Sequence, residues 1–451
     1  MGHVPRLSGT ESVIPKPLNI FSPPGTISSV IYVTEKEYFN KGDSTRGAKI
    51  RFNVSPSSSE YISLTDCTLC VKCRINKIDD ATKNLVELEA ADFCCPVNNT
   101  LHSLFSQIDV YFNDRLMNDF SPNNSYVSYL KMITGFGSDA QSGWTECMMY
   151  TPDTTGHIDS NVGGPGASNY SMGRRTQWTK NKDFTLVGPL FSDVFQVERW
   201  LPNGIPITIN LTQNSDSFRL ITDDTENKYV LTIKDARLRL KLISVHPVVT
   251  IAHEMSLKNG IRGLFPYMKM SFRSRTWDKD LSSGMCDDIF NGRVPNLLMM
   301  VMVSNSDYGG NINTNPFNFG FFDVRALGLT INSRLYNGRQ LLVDMSEGDC
   351  CEALAYVHQN LRRWGRDKGL VLGRDDWAGG KALFVFDLEG LGSNAAFPLV
   401  QQGSLSLSMN FGAGGPGSNI SLLFFGFSRD VFAIDVARNV LEMPKKKIAE
   451  D

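Results

Sequence analysis

The sequence carries no excess of either charge: 45 Lys and Arg stand against 47 Asp and Glu, a formal net charge of -2 over 451 residues. A chain that coats nucleic acid by ion pairing has a clear surplus of Lys and Arg, so any contact with a genome is local or delegated. No apolar run reaches the length of a membrane-spanning helix. The opening "MGHVPRLSGTESVIPKPLNIFSPPG" has no continuous apolar core of the signal-peptide kind. The expectation is a soluble protein made in the cytosol, in which the Asn-x-Ser/Thr triplets at Asn98, Asn123, Asn169, Asn210 and Asn419 are chance matches. Histidine is scarce, six in all, so acid–base and nucleophilic machinery is thinly supplied.

What is present points to sheets. The length exceeds one ordinary core and suits two domains, and 27 phenylalanines suit aromatic-filled cores between sheets. Strand signals are short and alternating. "SQIDVYF" sets Ile108, Val110 and Phe112 against Gln107, Asp109 and Tyr111, and "LPNGIPITINLTQ" puts Ile205, Ile207, Ile209 and Leu211 on one face. Residues 1–44 hold scattered Pro, Gly and Ser around "SSVIYV" and read as an arm that needs a partner surface to order it. The polar stretch "TDDTENK" is the natural boundary, giving a first unit at 45–222, a linker at 223–227, a second unit at 228–440 and a basic tail at 441–451.

The second unit repeats the first. "IDVYFNDRLMND" (108–119) and "LGLTINSRLYNG" (327–338) share Asn113 with Asn332, Arg115 with Arg334, Leu116 with Leu335 and Asn118 with Asn337, at a constant separation of 219 residues. Each copy is followed by helical spacing. Tyr126 or Val127, Leu130 and Ile133 run to Gly135 in one, and Leu354, Val357, Leu361 and Trp364 run to Gly365 in the other. A strand follows in each, "ITINLTQ" first and then "GSLSLSMNFG" with Leu405, Leu407, Met409 and Phe411 inward. Without a βαβ rhythm, this order suits two β-sandwiches side by side with short helices in their loops.

Several stretches resemble chemical sites and do not meet their requirements. Cys67, Cys70 and Cys73, followed by Cys94 and Cys95, have the opening spacing of an iron–sulfur run but no fourth cysteine in place. Strand alternation also turns Cys70 away from the other two, so buried thiols are expected rather than a metal centre. "HPVVTIAHE" spaces His246 and His253 wrongly for zinc, and Pro247 is read as excluding a helix there. His102, among Leu101, Leu104 and Phe105, is expected to be a hydrogen-bonded packing residue. "GRDKGLVLGRDDWAGGKAL" has Asp375 where a phosphate loop needs its first glycine and Ala382 where it needs Ser or Thr, so a plain loop is expected. Arg237, Arg239 and Lys241 share one strand face; this face is either solvated or interfacial. Lys445, Lys446 and Lys447 form a tail suited to nuclear import or a local genome contact. No catalytic, cofactor-binding or metal-binding residues are assigned, and no enzyme activity or cofactor is expected.

Longer segments carry a resemblance. "PVNNTLHSLFSQIDVYFNDRL" (96–116) resembles the signature segment of major capsid proteins of Polinton or Maverick elements and adintoviruses. "GAKIRFNVSPSSSEYISLTDCTLCVKCRI" (47–75), "GPLFSDVFQVERWLPNGIPITINLTQNSDSFRL" (188–220), "VPNLLMMVMVSNSDYGGNINTNPFNFGFFDVRALGLTINSRLYNGR" (294–339) and the closing "FAIDVARNV" extend the likeness over roughly residues 35–440. The resemblance implies an all-β double jelly roll, two tandem eight-stranded sandwiches, and a homotrimer acting as a pseudo-hexameric capsomer of an icosahedral double-stranded DNA virus or virus-like element. It implies neighbouring capsomers, penton and minor capsid proteins and a local contact with packaged DNA as partners. The implied location is the virion capsid, after synthesis in the host cytoplasm and assembly there or in the nucleus. It also implies core positions at Leu101, Leu104, Phe105, Ile108, Val110 and Phe112, with Leu327, Leu329 and Ile331 as their counterparts. The glycine-rich stretches 160–173 and 305–319 are candidates for outer loops. The rival reading is a vertex, spike or carbohydrate-binding β-sandwich, which needs a concentrated ligand site that the sequence does not display.

Overall fold

The computed structural model describes residues 27–41, 47, 49–57, 59–118, 123–159, 169–224, 226–345, 348–365, 369–389 and 401–442. The first unit is built from β1 (Val30–Phe39), β2 (Ile50–Val54), β3 (Glu60–Ile78), β4 (Phe105–Phe112), β5 (Arg115–Leu116), β6 (Phe184–Pro189), β7 (Ile207–Gln213) and β8 (Lys228–Val245). They pair antiparallel in two sheets, β1-β8-β3-β6 and β2-β7-β4-β5. The second unit is built from β9 (Gly263–Trp277), β10 (Ser283–Arg293), β11 (Leu297–Ser304), β12 (Val324–Ile331), β13 (Arg334–Leu335), β14 (Leu383–Asp387), β15 (Gln402–Phe411) and β16 (Ile420–Ile434). Its sheets run β9-β16-β11-β14 and β10-β15-β12-β13. Each strand thus has its counterpart eight strands later, and the architecture is a double jelly roll.

The alternation read from sequence is what seats these strands. Ile207, Ile209 and Leu211 are buried while Thr208, Asn210 and Thr212 between them are only partly covered. In β15 Leu405, Leu407 and Met409 are buried while Ser404, Ser408 and Asn410 are less covered, and Ser406 is buried as well. β11 and the first half of β16 are near-continuous apolar runs and are buried on both faces. The repeated Asn-x-Arg-Leu is a two-residue hairpin turn in both rolls. Asn113 and Asp114 have φ of 47° and 64°, and Asn332 and Ser333 have 48° and 64°. The flanking pairs are Phe112 with Arg115 and Ile331 with Arg334. Two consecutive left-handed residues match the twist of the strands, and asparagine is among the few side chains that tolerate that region. The expected core residues Leu101, Leu104, Phe105, Ile108, Val110, Phe112, Leu327 and Leu329 are buried, whereas Ile331, at the end of its hairpin, is half-buried.

Pairing sets the limits of the rolls differently from composition. Lys228–Val245, which the polar stretch 223–227 separates from the first unit in sequence, lies between β1 and β3 in the first roll's sheet. Val30–Phe39, which sequence places in the arm, is the first strand of that roll. Its charged, exposed residues suit an edge strand, which is why it does not read as core. The chain therefore leaves the first sheet after Val245 rather than at residue 227.

Three helices shape the junction and the outer surface of the rolls: α1 (Asn124–Gly135), α2 (Pro247–Lys258) and α3 (Cys351–Asn360). α1 stops at Gly135 as its spacing predicts. α3 ends earlier than expected: Arg362 has φ 57°, Trp364 is 67% exposed, and the buried pair is Ala353 and Val357. α2 overturns the reading that Pro247 excludes a helix in "HPVVTIAHE". Pro247 occupies the first helical turn, where its missing N–H leaves no bond unmade, and His246 Nδ1 caps the helix by accepting the Val248 N–H at 3.3 Å. Among the described residues no helix is long and apolar enough to cross a membrane.

Candidate assembly surface

The contact already made between the two rolls shows what their surfaces do. One apolar cluster runs through both. At its junction Tyr129 of α1 stacks on Phe317, centroids 4.2 Å apart and planes 6° from parallel, while Tyr126 meets Phe317 edge-on. Such aromatic pairs add about 0.5–1.5 kcal/mol beyond the area they bury. The Tyr308 hydroxyl donates to Asn123 Oδ1 at 3.1 Å, and the Thr222 N–H donates to the Ile312 carbonyl at 2.8 Å. Stretch 305–319 thus packs against the first roll through Tyr308, Ile312 and Phe317, with Asn305, Ser306, Gly309 and Asn313 exposed. Of stretch 160–173, residues 160–168 lie outside the described residues and Tyr170–Thr179 is a helix.

A second strip joins the rolls through the first hairpin. Asn113 Nδ2 donates to the Arg438 carbonyl at 3.3 Å, and Arg115 Nη1 donates to the Val440 carbonyl at 2.7 Å. Phe112 meets Phe432 edge-on. The receiving segment is the turn after β16 and the short strand Val440–Glu442 that folds back on β16. A further bond joins the rolls at Asp193, which lies 3.7 Å from Lys131 and accepts the Met270 N–H at 2.8 Å. Burial raises the Asp193 pKa and lowers that of Lys131, each away from its charged form, with their mutual attraction opposing the shift.

The residues singled out in the sequence fall in separate places. Cys67 and Cys73 face the core, and burial raises both thiol pKa values. Cys70 is buried but outside that cluster. Among the described residues no group of His, Cys, Asp and Glu is arranged to hold a metal ion. His102 is buried and stacked on Phe191 at 4.6 Å, and its Nε2 has no hydrogen-bond partner among the described residues. Burial, aided by the nearby Lys131 charge, pulls its pKa down to about 3. Lys381 sits 3.1 Å from Asp376, beside the short helix Arg374–Ala378, which replaces the expected plain loop. The basic face of β8 is interfacial within the fold: Arg239 and Arg237 pair with Glu37 of β1 at 2.7 and 3.6 Å, and Lys241 pairs with Asp66 at 2.9 Å. The hydrogen bond from Arg239 holds the Glu37 pKa below its ordinary value. Lys445, Lys446 and Lys447 lie outside the described residues.

Two features are not visible in the sequence. Fully buried Arg175 bonds Asp153 at 3.2 Å and the Pro96 carbonyl at 3.1 Å, tying together segments far apart in the chain. No local pattern announces such a pair. The other is α2, which carries Val249 and Leu257 inward while Val248, Ile251 and Met255 are 66%, 54% and 61% exposed. Beside it a groove of about 500 Å³ is lined by Tyr61, Trp200, His253, Phe265 and Arg438. Tyr61 and His253 meet at 3.0 Å, and Glu254 pairs with Arg438. The groove contains no assembled nucleophile and base; it is an apolar recess next to an apolar helix face.

No family model matches the chain. An uncharacterized protein of Caenorhabditis elegans is 20% identical over 399 residues, covering 86% of this chain and 91% of its own. A chain of the Sputnik virophage superposes with a TM-score of 0.65 at 11% identity, covering 97% of this chain and 94% of that one. A chain of the PBCV-1 virus capsid gives 0.56 at 9% identity, covering 94% and 100%. The Faustovirus major capsid protein gives 0.54 at 8% identity, covering 91% and 92%. The shared feature is the fold, the double jelly roll of viral major capsid proteins. It extends over more than nine-tenths of this chain and of each of these three solved chains.

Proposed function

We propose that this protein is a structural capsid subunit, the major building block of an icosahedral shell around double-stranded DNA. The observation that carries the reading is the likeness of both rolls together, end to end, to a chain of the PBCV-1 capsid and to the Faustovirus major capsid protein. The duplication supplies the physical reason. Two similar sandwiches per chain give a homotrimer six roughly equivalent lateral faces, the symmetry needed to tile a hexagonal net. The near-balanced charge favours a shell held by protein contacts, so trimers form without nucleic acid, with interfaces above about 2,000 Å² as in permanent assemblies.

The segments at 47–75, 96–116, 188–220 and 294–339 favour a Polinton, Maverick or adintovirus source. Neighbouring capsomers, penton and minor capsid proteins are the partners, and the basic tail is the candidate for local DNA contact or nuclear entry. Size-exclusion chromatography with light scattering tests the reading. The expected species is a compact trimer of the 50.2 kDa chain, formed after nuclease treatment; a monomer at every concentration overturns it.

A further inference from the structure

The strip through the first hairpin is a contact with two halves, and the duplication provides a counterpart of each half that makes no such contact among the described residues. The half that is given is the first hairpin, through Asn113 and Arg115; the half that receives is the segment directly following β16. The counterpart of the giving half is the hairpin Asn332–Leu335. It has the same left-handed turn, but among the described residues the side chain of Asn332 bonds within its own roll, through the Gln402 carbonyl and the Ser404 N–H. Arg334 is exposed and Leu335 is 38% exposed. The counterpart of the receiving half is the segment directly following β8, which is α2, with Val248, Ile251 and Met255 turned outward.

We infer that the hairpin Asn332–Leu335 of one copy docks on the exposed face of α2 of the next copy, repeating between chains the contact that the first hairpin makes within one. The inference rests on the trimeric reading of the protein's function and names the residues that make the trimer. A contact between unlike halves is head-to-tail, and such contacts close into a ring when their rotation permits. With one contact inside each chain and one between chains, the ring alternates the two. Each copy then has its free hairpin covered and its α2 face covered, which accounts for both apolar exposures at once. The interchain contact is not an exact copy of the internal one. The internal receiver offers backbone carbonyls to Arg115, whereas α2 offers aliphatic side chains, so Leu335 rather than Arg334 is the anchor.

The test uses the full chain. A photo-crosslinking residue replaces Leu335, and light- and heavy-isotope chains are mixed before irradiation. Crosslinks from position 335 to Val248–Met255 in the other isotope form are expected. In parallel, Arg334→Glu with Leu335→Glu, and separately Ile251→Glu with Met255→Glu, should each weaken trimer association at least about thirtyfold, as losing one anchor residue does. All four side chains lie on the exposed surface, so each variant should stay folded, with the circular dichroism spectrum of wild type and a cooperative melt lowered only by the lost association. Trimers that persist in both variants, or crosslinks that map elsewhere, overturn the inference and leave the capsid reading standing. A wild-type chain that never trimerises overturns the capsid reading and this inference with it.

Discussion

α1 and α3 follow equivalent hairpins in the two rolls, yet nearly every residue of α1 is buried while α3 buries only Ala353 and Val357. The difference comes from what lies beyond each helix. α1 is closed over by Phe317 and Phe319 of the second roll, whereas α3 packs on its own roll and otherwise faces outward. Equivalent elements of a duplicated chain therefore diverge in polarity according to what the other half covers. The two hairpins show the same divergence, one docked and one free. The asymmetry between the halves is thus a map of which contacts are made within the chain.

The largest effect is expected at the aromatic junction. Phe317→Ala removes the partner of Tyr129 and should cost about 3–5 kcal/mol. Chemical denaturation followed by fluorescence should then show the rolls melting in separate steps; a single transition with unchanged midpoint would mean the halves do not support each other there.

His102 gives a test against its own counterpart, because Phe321 stands 219 residues later. With its pKa pulled down to about 3, His102 stays neutral in the fold while the unfolded chain takes up a proton below the ordinary value of about 6.5. The unfolded state binds more protons between these values, so stability falls as pH falls through that window, by up to about 1.4 kcal/mol per pH unit. His102→Phe should flatten the acid limb of the stability–pH curve between about pH 6.5 and 3, and an unchanged limb would place the histidine's protonation elsewhere.

The smallest effect separates the hairpins. Arg115→Ala deletes a partly exposed bond to the Val440 carbonyl and should cost about 1 kcal/mol. Arg334→Ala should change the stability of the isolated chain by less than about 0.5 kcal/mol. Equal values in urea titrations would erase the distinction between docked and free turns.

Much of the fold is legible in sequence wherever one face of an element is buried by its near neighbours. β4, β7 and β15 alternate cleanly, and the Asn113 and Asn332 turns carry their own signature. The strand face of β8 is legible locally, but its pairing with β1 is not, because it joins Val30 to Val245, a pairing no short window contains. α2 is unreadable for two physical reasons. Proline ends helices in most positions but begins them well, and apolar residues on both sides of α2 blur the pattern that marks a helix packed on one side only. The candidate surface is hidden with it, since exposed apolar side chains look like core until the fold turns them outward.

The position of β8 sets an order of events during synthesis. β8 lies between β1 and β3, so the first sheet has no centre until residues 228–245 emerge from the ribosome. Until then β1 and β3 present unpaired edges, the kind that recruit other strands. The glutamates and lysine along β1 keep that waiting edge charged, and the second roll repeats the delay, with β9 idle until β16 arrives.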